Sequence, residues 1–316
     1  MTVEPDVPHE IVSRSPRISV IMNCYNSARF LREAIDSVLA QTLRDWEIVF
    51  WDNQSTDASA AIFQSYNDVR CRYFLAPTHT VLGQARNLAI SQARGQWCAF
   101  LDCDDLWLPD KLTRQVAIID SEGPSLGLIY GHMKILLNDG EAHSPWRKSM
   151  KDYVDRARFP RLPEGDIFAE LLKSNFIPLP SAMILRLAFN AVNGIDPLFR
   201  SAEDYDLFVK IAQIHRIRAV QDVICIYRVH GANLTPLLAD IGFQEELTVV
   251  SRYLPQLAAR KALRYHYTYQ AVRMLRRGEI FLGLRYLLQH GALRVLFAEF
   301  IRRRFMTKMA EINHTG

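Results

Sequence analysis

The chain has 316 residues, 49% of them hydrophobic and 23% charged, with 14 glycines and 14 prolines. This composition excludes a disordered chain and is enough for one large α/β domain plus an accessory segment. The formal charge of +4 is unevenly placed: Arg260 to Lys308 hold twelve Lys/Arg and two Glu, about +10, and leave about −6 for the rest. Met1 to Glu10 lacks the apolar core of a signal peptide. No uncharged apolar run reaches the roughly 20 residues that span a bilayer. Five cysteines, an odd number without a C-x-x-C pair, fit reduced thiols in a cytoplasmic setting.

In chain order, Arg17 to Met22 reads as a buried strand, broken by Asn23-Cys24-Tyr25-Asn26. Ala28 to Ala40 places Leu31, Ile35, Val38 and Leu39 at helical spacing. A second strand, Trp46 to Trp51, stops at Asp52-Asn53-Gln54-Ser55-Thr56-Asp57, a polar turn that also starts a helix. A short run, Cys71 to Leu75, leads through a loop to Gly83-Gln84-Ala85-Arg86-Asn87 at the head of another helix. Then Gly95-Gln96-Trp97-Cys98-Ala99-Phe100-Leu101 ends abruptly in Asp102-Cys103-Asp104-Asp105, followed by Trp107 and Pro109. Strands alternating with helices predict a parallel sheet with helices on both faces, and such sheets bind ligands beyond the carboxyl ends of their strands. Tyr25, Asp52 and Asp104 all fall at such ends, so one crevice could hold all three.

Carboxylates at the end of a buried strand are costly unless they bind something. If the strand alternation persists, Asp102 and Asp104 share a face, and two oxygens on one face suit a hard cation such as Mg2+ or Mn2+ beside substrate phosphates. The competing reading is an acidic turn that caps the next helix.

Further along, Leu126 to Leu137 reads as a strand leading to the turn Asn138-Asp139-Gly140, a hairpin signal. His143 to Pro163 is a polar, basic stretch with breakers that reads as a loop. A short helix follows over Ile167 to Leu172, and another over Tyr205 to His215 with Leu207, Phe208, Ile211 and Ala212 on its apolar face. Val223 to Val229 reads as a strand ending at His230.

As a set these residues resemble family 2 glycosyltransferases. The likeness runs from Ser19-Val20-Ile21 and Tyr25-Asn26 through Phe30-Leu31, Ala34-Ile35, Ser37-Val38 and Gln41-Thr42. It continues in Asp52 to Asp57, Ala85-Arg86-Asn87, Ala93-Arg94-Gly95, Leu101 to Trp107, Ala202 to Leu207 and Tyr227 to Thr235, covering roughly Arg17 to Thr235. Met22-Asn23 departs from the family's small or β-branched residue and proline, which reads as loop variation. The resemblance implies a GT-A-type nucleotide-binding fold with a mostly parallel central sheet flanked by helices. It also implies a nucleotide-diphosphate sugar donor, a divalent cation (Mn2+ or Mg2+) and inversion at the anomeric carbon. The expected division is a tail over 1–16, a glycosyltransferase domain over 17–235 (donor-nucleotide half 17–125, acceptor half 126–235) and a basic helical segment over 236–316.

On this basis Asp104 is the leading metal ligand. Asp102 assists through the ribose or a metal-bound water, and His230 is a candidate third ligand or phosphate contact; its bland role is structural. Arg228 either joins this group or pairs with a carboxylate. Asp204 is the candidate general base, opposite the leaving group; its bland role is to cap the helix that it opens, and the neighbouring Glu203 leaves the division of labour open. Tyr25, Asp52 and Arg86 are candidate donor-nucleotide contacts, with a core plug, a turn residue and a surface helix residue as their alternatives. Asn53 and Asp57 read as turn and cap chemistry, and Cys103 as a middle position facing away from the metal.

The function expected is inverting transfer of a sugar to a hydroxyl of a glycan or lipid-linked acceptor. The alternatives are a sugar nucleotidyltransferase, which would want a Gly-rich phosphate loop that Asn23 to Arg29 does not provide, and a non-catalytic sugar-binding protein. Neither G-x-G-x-x-G nor a Walker A pattern occurs in the sequence, and no nucleic-acid partner is expected. Leu293, Leu296, Phe297, Phe300 and Ile301 share one helical face ahead of Arg302-Arg303-Arg304. Residues 260–308 therefore either lie on an anionic membrane surface, on the inner face of the cell membrane, or pack as a helical hairpin on the catalytic domain.

Overall fold

The computed structural model describes residues 15–137 and 161–289. The turn at 138–140, most of the basic loop and the apolar face from Leu293 to Ile301 lie outside the described residues. Within them, eight strands form one sheet: β1 (Ile18–Cys24), β2 (Trp46–Asp52), β3 (Cys71–Leu75), β4 (Trp97–Phe100), β5 (Leu106–Trp107), β6 (Leu126–Leu137), β7 (Met183–Leu185) and β8 (Arg216–Val229). Their spatial order is β3-β2-β1-β4-β7-β6-β8-β5. The run β3-β2-β1-β4 is wholly parallel. Beyond it β7 pairs antiparallel with β4 and β6, β8 runs parallel to β6, and β5 is antiparallel to β8. The expected parallel character therefore holds for these first four strands, and the rest of the sheet is mixed.

The helices are α1 (Ala28–Leu39), α2 (Ser59–Gln64), α3 (Leu82–Ser91), α4 (Lys111–Ser121), α5 (Phe168–Lys173), α6 (Arg186–Ala191), α7 (Glu203–Ile214), α8 (Leu234–Leu237), α9 (Ala239–Ser251), α10 (Leu257–Arg276) and α11 (Ile280–Gln289). Strand alternation sorts the core into two layers. Ile18, Val20, Met22, Trp46, Ile48 and Phe50 face α1 and α4, where Leu31, Ile35, Val38 and Leu112 are fully buried. Each such aliphatic side chain contributes about 1.5–3 kcal/mol. Ile21, Val49, Trp51 and Phe100 face the other way, toward Ala85 and Ala89 of α3 and Leu207, Phe208 and Ile211 of α7.

A buried polar brace joins the strands. Glu47 accepts hydrogen bonds from Ser19 Oγ (2.7 Å), the Arg94 N–H (2.7 Å) and Arg72 (2.7 Å), while Gly95 N–H donates to Ser19 Oγ (2.9 Å). A Cβ on Gly95 would lie 2.5 Å from Ser19 N, which explains the glycine in the Ala93-Arg94-Gly95 run.

The segment after 235 shares this core: Val249 and Val250 of α9 and Ala259 and Ala262 of α10 are buried in the α3–α7 layer. His266 of α10 is buried as well and sits 3.0 Å from the Leu172 carbonyl at the end of α5. Helix α11 folds back on α10, with Gly283 against Leu275 and the Ala271 carbonyl and with Leu287 buried. Its other face leaves Ile280, Phe281, Leu282 and Leu288 exposed. Among the described residues no helix is long and apolar enough to cross a membrane.

Candidate active site

Parallel pairing aligns the ends of the first strands. Cys24 is in register with Asp52, Asp52 with Leu75, and Ile21 with Phe100. The loops that follow therefore emerge at one edge: Tyr25, Asn53, the Ala76–Val81 loop and Leu101 to Asp105. Tyr25 is 52% exposed, and its ring centroid lies 4.4 Å from that of His79. His79 is held by its Nδ1 against the Asn53 carbonyl (2.9 Å), and Asn53 clasps both polar backbone atoms of Thr80 (2.8 and 3.1 Å). His79 carries no motif and was not anticipated from the sequence.

Asn26, at φ 51°, accepts from the Thr56 N–H (2.8 Å). Asp57 accepts from the N–H of Ala28 at the head of α1 (2.9 Å) and of Ser59 at the head of α2 (2.9 Å). This is the turn and cap chemistry expected of Asp57. Asp52 is only 1% exposed: Oδ1 accepts from the Ser55 N–H (2.7 Å) and Oδ2 from the Tyr73 hydroxyl (2.7 Å). As placed, it organises the turn at the end of β2.

The strand alternation that would set Asp102 and Asp104 on one face ends with β4 at Phe100. Residues 102–105 instead form a tight turn closed by the Asp105 N–H on the Asp102 carbonyl (3.1 Å). Cys103 is buried inside it, its thiol donating to the Asn23 carbonyl (3.3 Å). Both flanking carboxylates stay open, with side chains 36% exposed for Asp102 and 28% for Asp104. Asp102 accepts from Arg86 (3.1 Å). Asp104 Oδ2 lies 2.9 Å from His230 Nε2 and 3.4 Å from Asn233 Nδ2.

Strand β8 delivers His230. The Arg228 N–H donates to Asp105 Oδ1 (2.9 Å), and its guanidinium reaches the Asp104 carbonyl (2.9 Å) and Glu33 (2.7 Å) while lying over the Phe30 ring. Arg228 thus ties α1, the acidic turn and β8 together. The other oxygen of Asp105 is buried without a hydrogen-bond partner. Burial, reinforced by the charges of Asp104 and Asp102, holds its carboxyl well above the usual range. Asn233 positions His230 by accepting its backbone N–H (2.6 Å). The Ala232 N–H donates to His230 Nδ1 (3.3 Å), so the tautomer that satisfies both contacts carries its proton on Nε2 and donates to Asp104. As placed, His230 orients Asp104, where a third metal ligand was one of the two expectations.

Arg86 is buried rather than on a surface helix face, and its guanidinium spans two carboxylates 101 residues apart: Asp102 and Glu203 (2.7 Å). Burying a cation this deeply requires paired charges, and the acidic turn and the head of α7 supply them. The adjacent Asn87 clasps both polar backbone atoms of Ile195 (2.8 and 3.0 Å). The Ala85-Arg86-Asn87 run therefore docks the loop leading into α7. Asp204, at the second position of α7, accepts its neighbour Tyr205's N–H (2.6 Å) and Asn175 Nδ2 (3.4 Å). Burial, followed by the charge of Glu203, pushes its carboxyl up to about 7, with Arg86 opposing. Burial and the charge of Asp104 also raise Asp102.

Among the described residues no group of three or more His, Cys, Asp or Glu side chains closes on a metal by itself. Asp102 and Asp104 offer exposed, hard oxygens, which fit a Mg2+- or Mn2+-type ion whose remaining positions go to water and phosphate oxygens.

Comparison with known proteins bears on this arrangement. A model described as Glycosyl transferase family 2 matches residues 19–187. A protein of Rickettsia typhi described as an uncharacterized glycosyltransferase is 29% identical over 226 residues, 70% of this chain and 66% of that protein. The chain thus spans just under two thirds of that relative. S. aureus TarS, solved in complex with UDP-GlcNAc, superposes with a TM-score of 0.60 at 18% identity over 80% of this chain and 73% of its own. The mannosyltransferase PcManGT from Pyrobaculum calidifontis, in complex with GDP-Man and Mn2+, gives 0.59 at 18% identity over 92% of this chain and 87% of its own. At that identity the two structures speak for the fold.

Proposed function

Because the chain belongs to glycosyl transferase family 2, we propose that it moves a sugar from a nucleoside-diphosphate sugar to a hydroxyl of a glycan or lipid-linked acceptor, inverting the anomeric carbon. The single observation that supports this reading is that Arg86 joins Asp102 of the acidic turn to Glu203 beside Asp204 at the head of α7. The nucleoside stacks beside Tyr25 and His79, whose aromatic pair is the exposed surface at the ends of β1 and β3. Asp102 and Asp104 would hold a divalent cation, with His230 orienting Asp104. When bound, the cation neutralises the departing diphosphate. TarS with UDP-GlcNAc and PcManGT with GDP-Man and Mn2+ support a donor and an ion of these classes.

Asp204 supplies the proton chemistry. A carboxylate poised near 7 accepts the acceptor hydroxyl's proton as its oxygen attacks the anomeric carbon and the bond to the diphosphate breaks. Asn175 and the Tyr205 N–H hold the carboxylate in place for that attack. Charge and exposure support a second contact, with an anionic membrane surface on the cytoplasmic side. Phe281, Leu282 and Leu288 are exposed on α11, and Arg260 to Lys308 carry about +10.

The test is a thermal-shift screen of UDP- and GDP-sugars with Mn2+ or Mg2+, since a bound donor raises stability by mass action. Turnover of the stabilising donor is then followed. Release of nucleoside diphosphate with an inverted anomeric product is expected; release of pyrophosphate would make the protein a nucleotidyltransferase.

A further inference from the structure

Resting on the reading of Asp204 as the base, we propose that helix α9 is a positioning element for that base and acts through Glu245. The Glu245 carboxylate accepts three consecutive backbone N–H groups: Arg200 (2.9 and 3.1 Å), Ser201 (2.8 Å) and Ala202 (2.9 Å). These are the last residues before α7, whose first two positions are Glu203 and Asp204. Ala202, at the N-cap position, has no side-chain acceptor of its own. Three convergent N–H groups form an anion-binding nest, and here a side chain from a helix beyond the family match fills it.

Two further features place α9 against this loop. Gly242, one turn before Glu245, lets the helix approach closely; a Cβ there would lie 2.7 Å from Ser201 Oγ. One end of the clamp is Glu245. The other is Arg252, which bridges Asp196 (2.7 Å) and the fully buried Asp206 (2.8 Å) and lies over the Phe199 ring. On the opposite side Asn87 and Arg86 hold Ile195 and Glu203. The loop is thus fixed from the donor half by α3 and from the C-terminal helices by α9, and the start of α7 has one position between them. Without Glu245, three N–H groups lose their acceptor and the first turn of α7 is free to shift. A displacement of about 1 Å at a reacting group costs on the order of 100-fold in rate.

The experiment compares wild type with Glu245→Ala and Glu245→Gln, the latter keeping the shape and one acceptor oxygen. Amide hydrogen exchange at residues 200–205 reads the clamp without any ligand, and titration with nucleoside diphosphate and Mn2+ reads donor-site binding. Steady-state transfer reads kcat and KM in both wild-type and Asp204→Asn backgrounds. Faster exchange at 200–205 is expected, with kcat down about 10- to 100-fold in Glu245→Ala and less in Glu245→Gln. Donor KM and nucleotide binding should stay within about twofold, and Glu245→Ala should add nothing once Asp204 is Asn, because the two act on one step. Unchanged exchange, unchanged kcat, or an equal further loss in the Asp204→Asn background would each overturn the proposal. Should Glu245→Ala fail to fold, Glu245→Gln carries the same comparison. A wild type without transfer activity defeats the functional reading itself and the positioning claim with it. Active wild type with an indifferent Glu245→Ala defeats only the clamp.

Discussion

An aspartate raised to about 7 leaves a signature in both rate and stability. The rate argument is that only ionised Asp204 takes a proton, so kcat should rise with pH and level off above an apparent value near 7. Asp204→Asn should lose about 100- to 10,000-fold in kcat while still binding donor; turnover within a few-fold of wild type would leave Asp204 a cap and Glu203 the candidate. For stability the sign is opposite to that of a salt-bridged carboxylate. Between the ordinary value of 3.8 and about 7 the native state holds a proton that the unfolded chain has lost, so stability falls as pH rises through that window. Asp204→Asn should therefore melt above wild type at pH 8, with the gap narrowing toward pH 4; a constant gap would contradict the raised value. Asp104 keeps its carboxylate partly open to solvent. Asp104→Ala should lose at least about 100-fold in turnover with an unchanged melting temperature, and full activity in excess chelator would remove the ion from the mechanism.

Helix α3 shows how an element couples two halves of a site. Its buried Arg86 lies between Asp102, which stays partly open, and Glu203, which is buried. Arg86→Ala leaves two carboxylates unpaired, a change that costs about 3–5 kcal/mol when a buried pair is broken, read as a drop in melting temperature together with lost turnover. A surface role would give neither. The β-strand brace behind it has a similar all-or-none character. Gly95→Ala places a Cβ against the backbone of β1, where nothing flexible can yield, and overpacking of this kind costs about 1–3 kcal/mol.

At the level of the whole molecule, charge and packing divide the C-terminal segment in two. Helices α9 and α10 share the main core, through Val249, Val250, Ala259 and Ala262, so truncation before Ala239 should expose apolar surface and cause aggregation. Among the described residues helix α11 packs on α10 and turns Phe281, Leu282 and Leu288 outward. Truncation before Leu293 should keep the melting temperature and donor hydrolysis. If the membrane reading holds, it should also remove binding to anionic vesicles, and salt should weaken that binding in the full chain. No vesicle binding at low salt, with a clear loss of stability on truncation, would instead assign the segment to packing.

The sequence by itself determined the alternation of strands and helices in the first hundred residues. The strand runs, helical spacing in Ala28 to Ala40 and turn residues at Asp52 to Asp57 are local signals, and parallel pairing then brings Tyr25, Asp52 and Asp104 to one edge. The resemblance to family 2 glycosyltransferases put Asp104, Asp204 and His230 forward as candidate site residues. The tertiary structure decided what each of them touches. Arg86 gains Glu203, 117 positions later, as a partner only in the fold. Likewise Tyr73 comes to the second oxygen of Asp52 only through the pairing of β2 with β3. His79 and Glu245 carry no local signal, since a loop histidine and a helix glutamate are ordinary by composition. Their meaning comes from long-range pairing, which sets distance and burial, and those two quantities control hydrogen bonding and charge at a site.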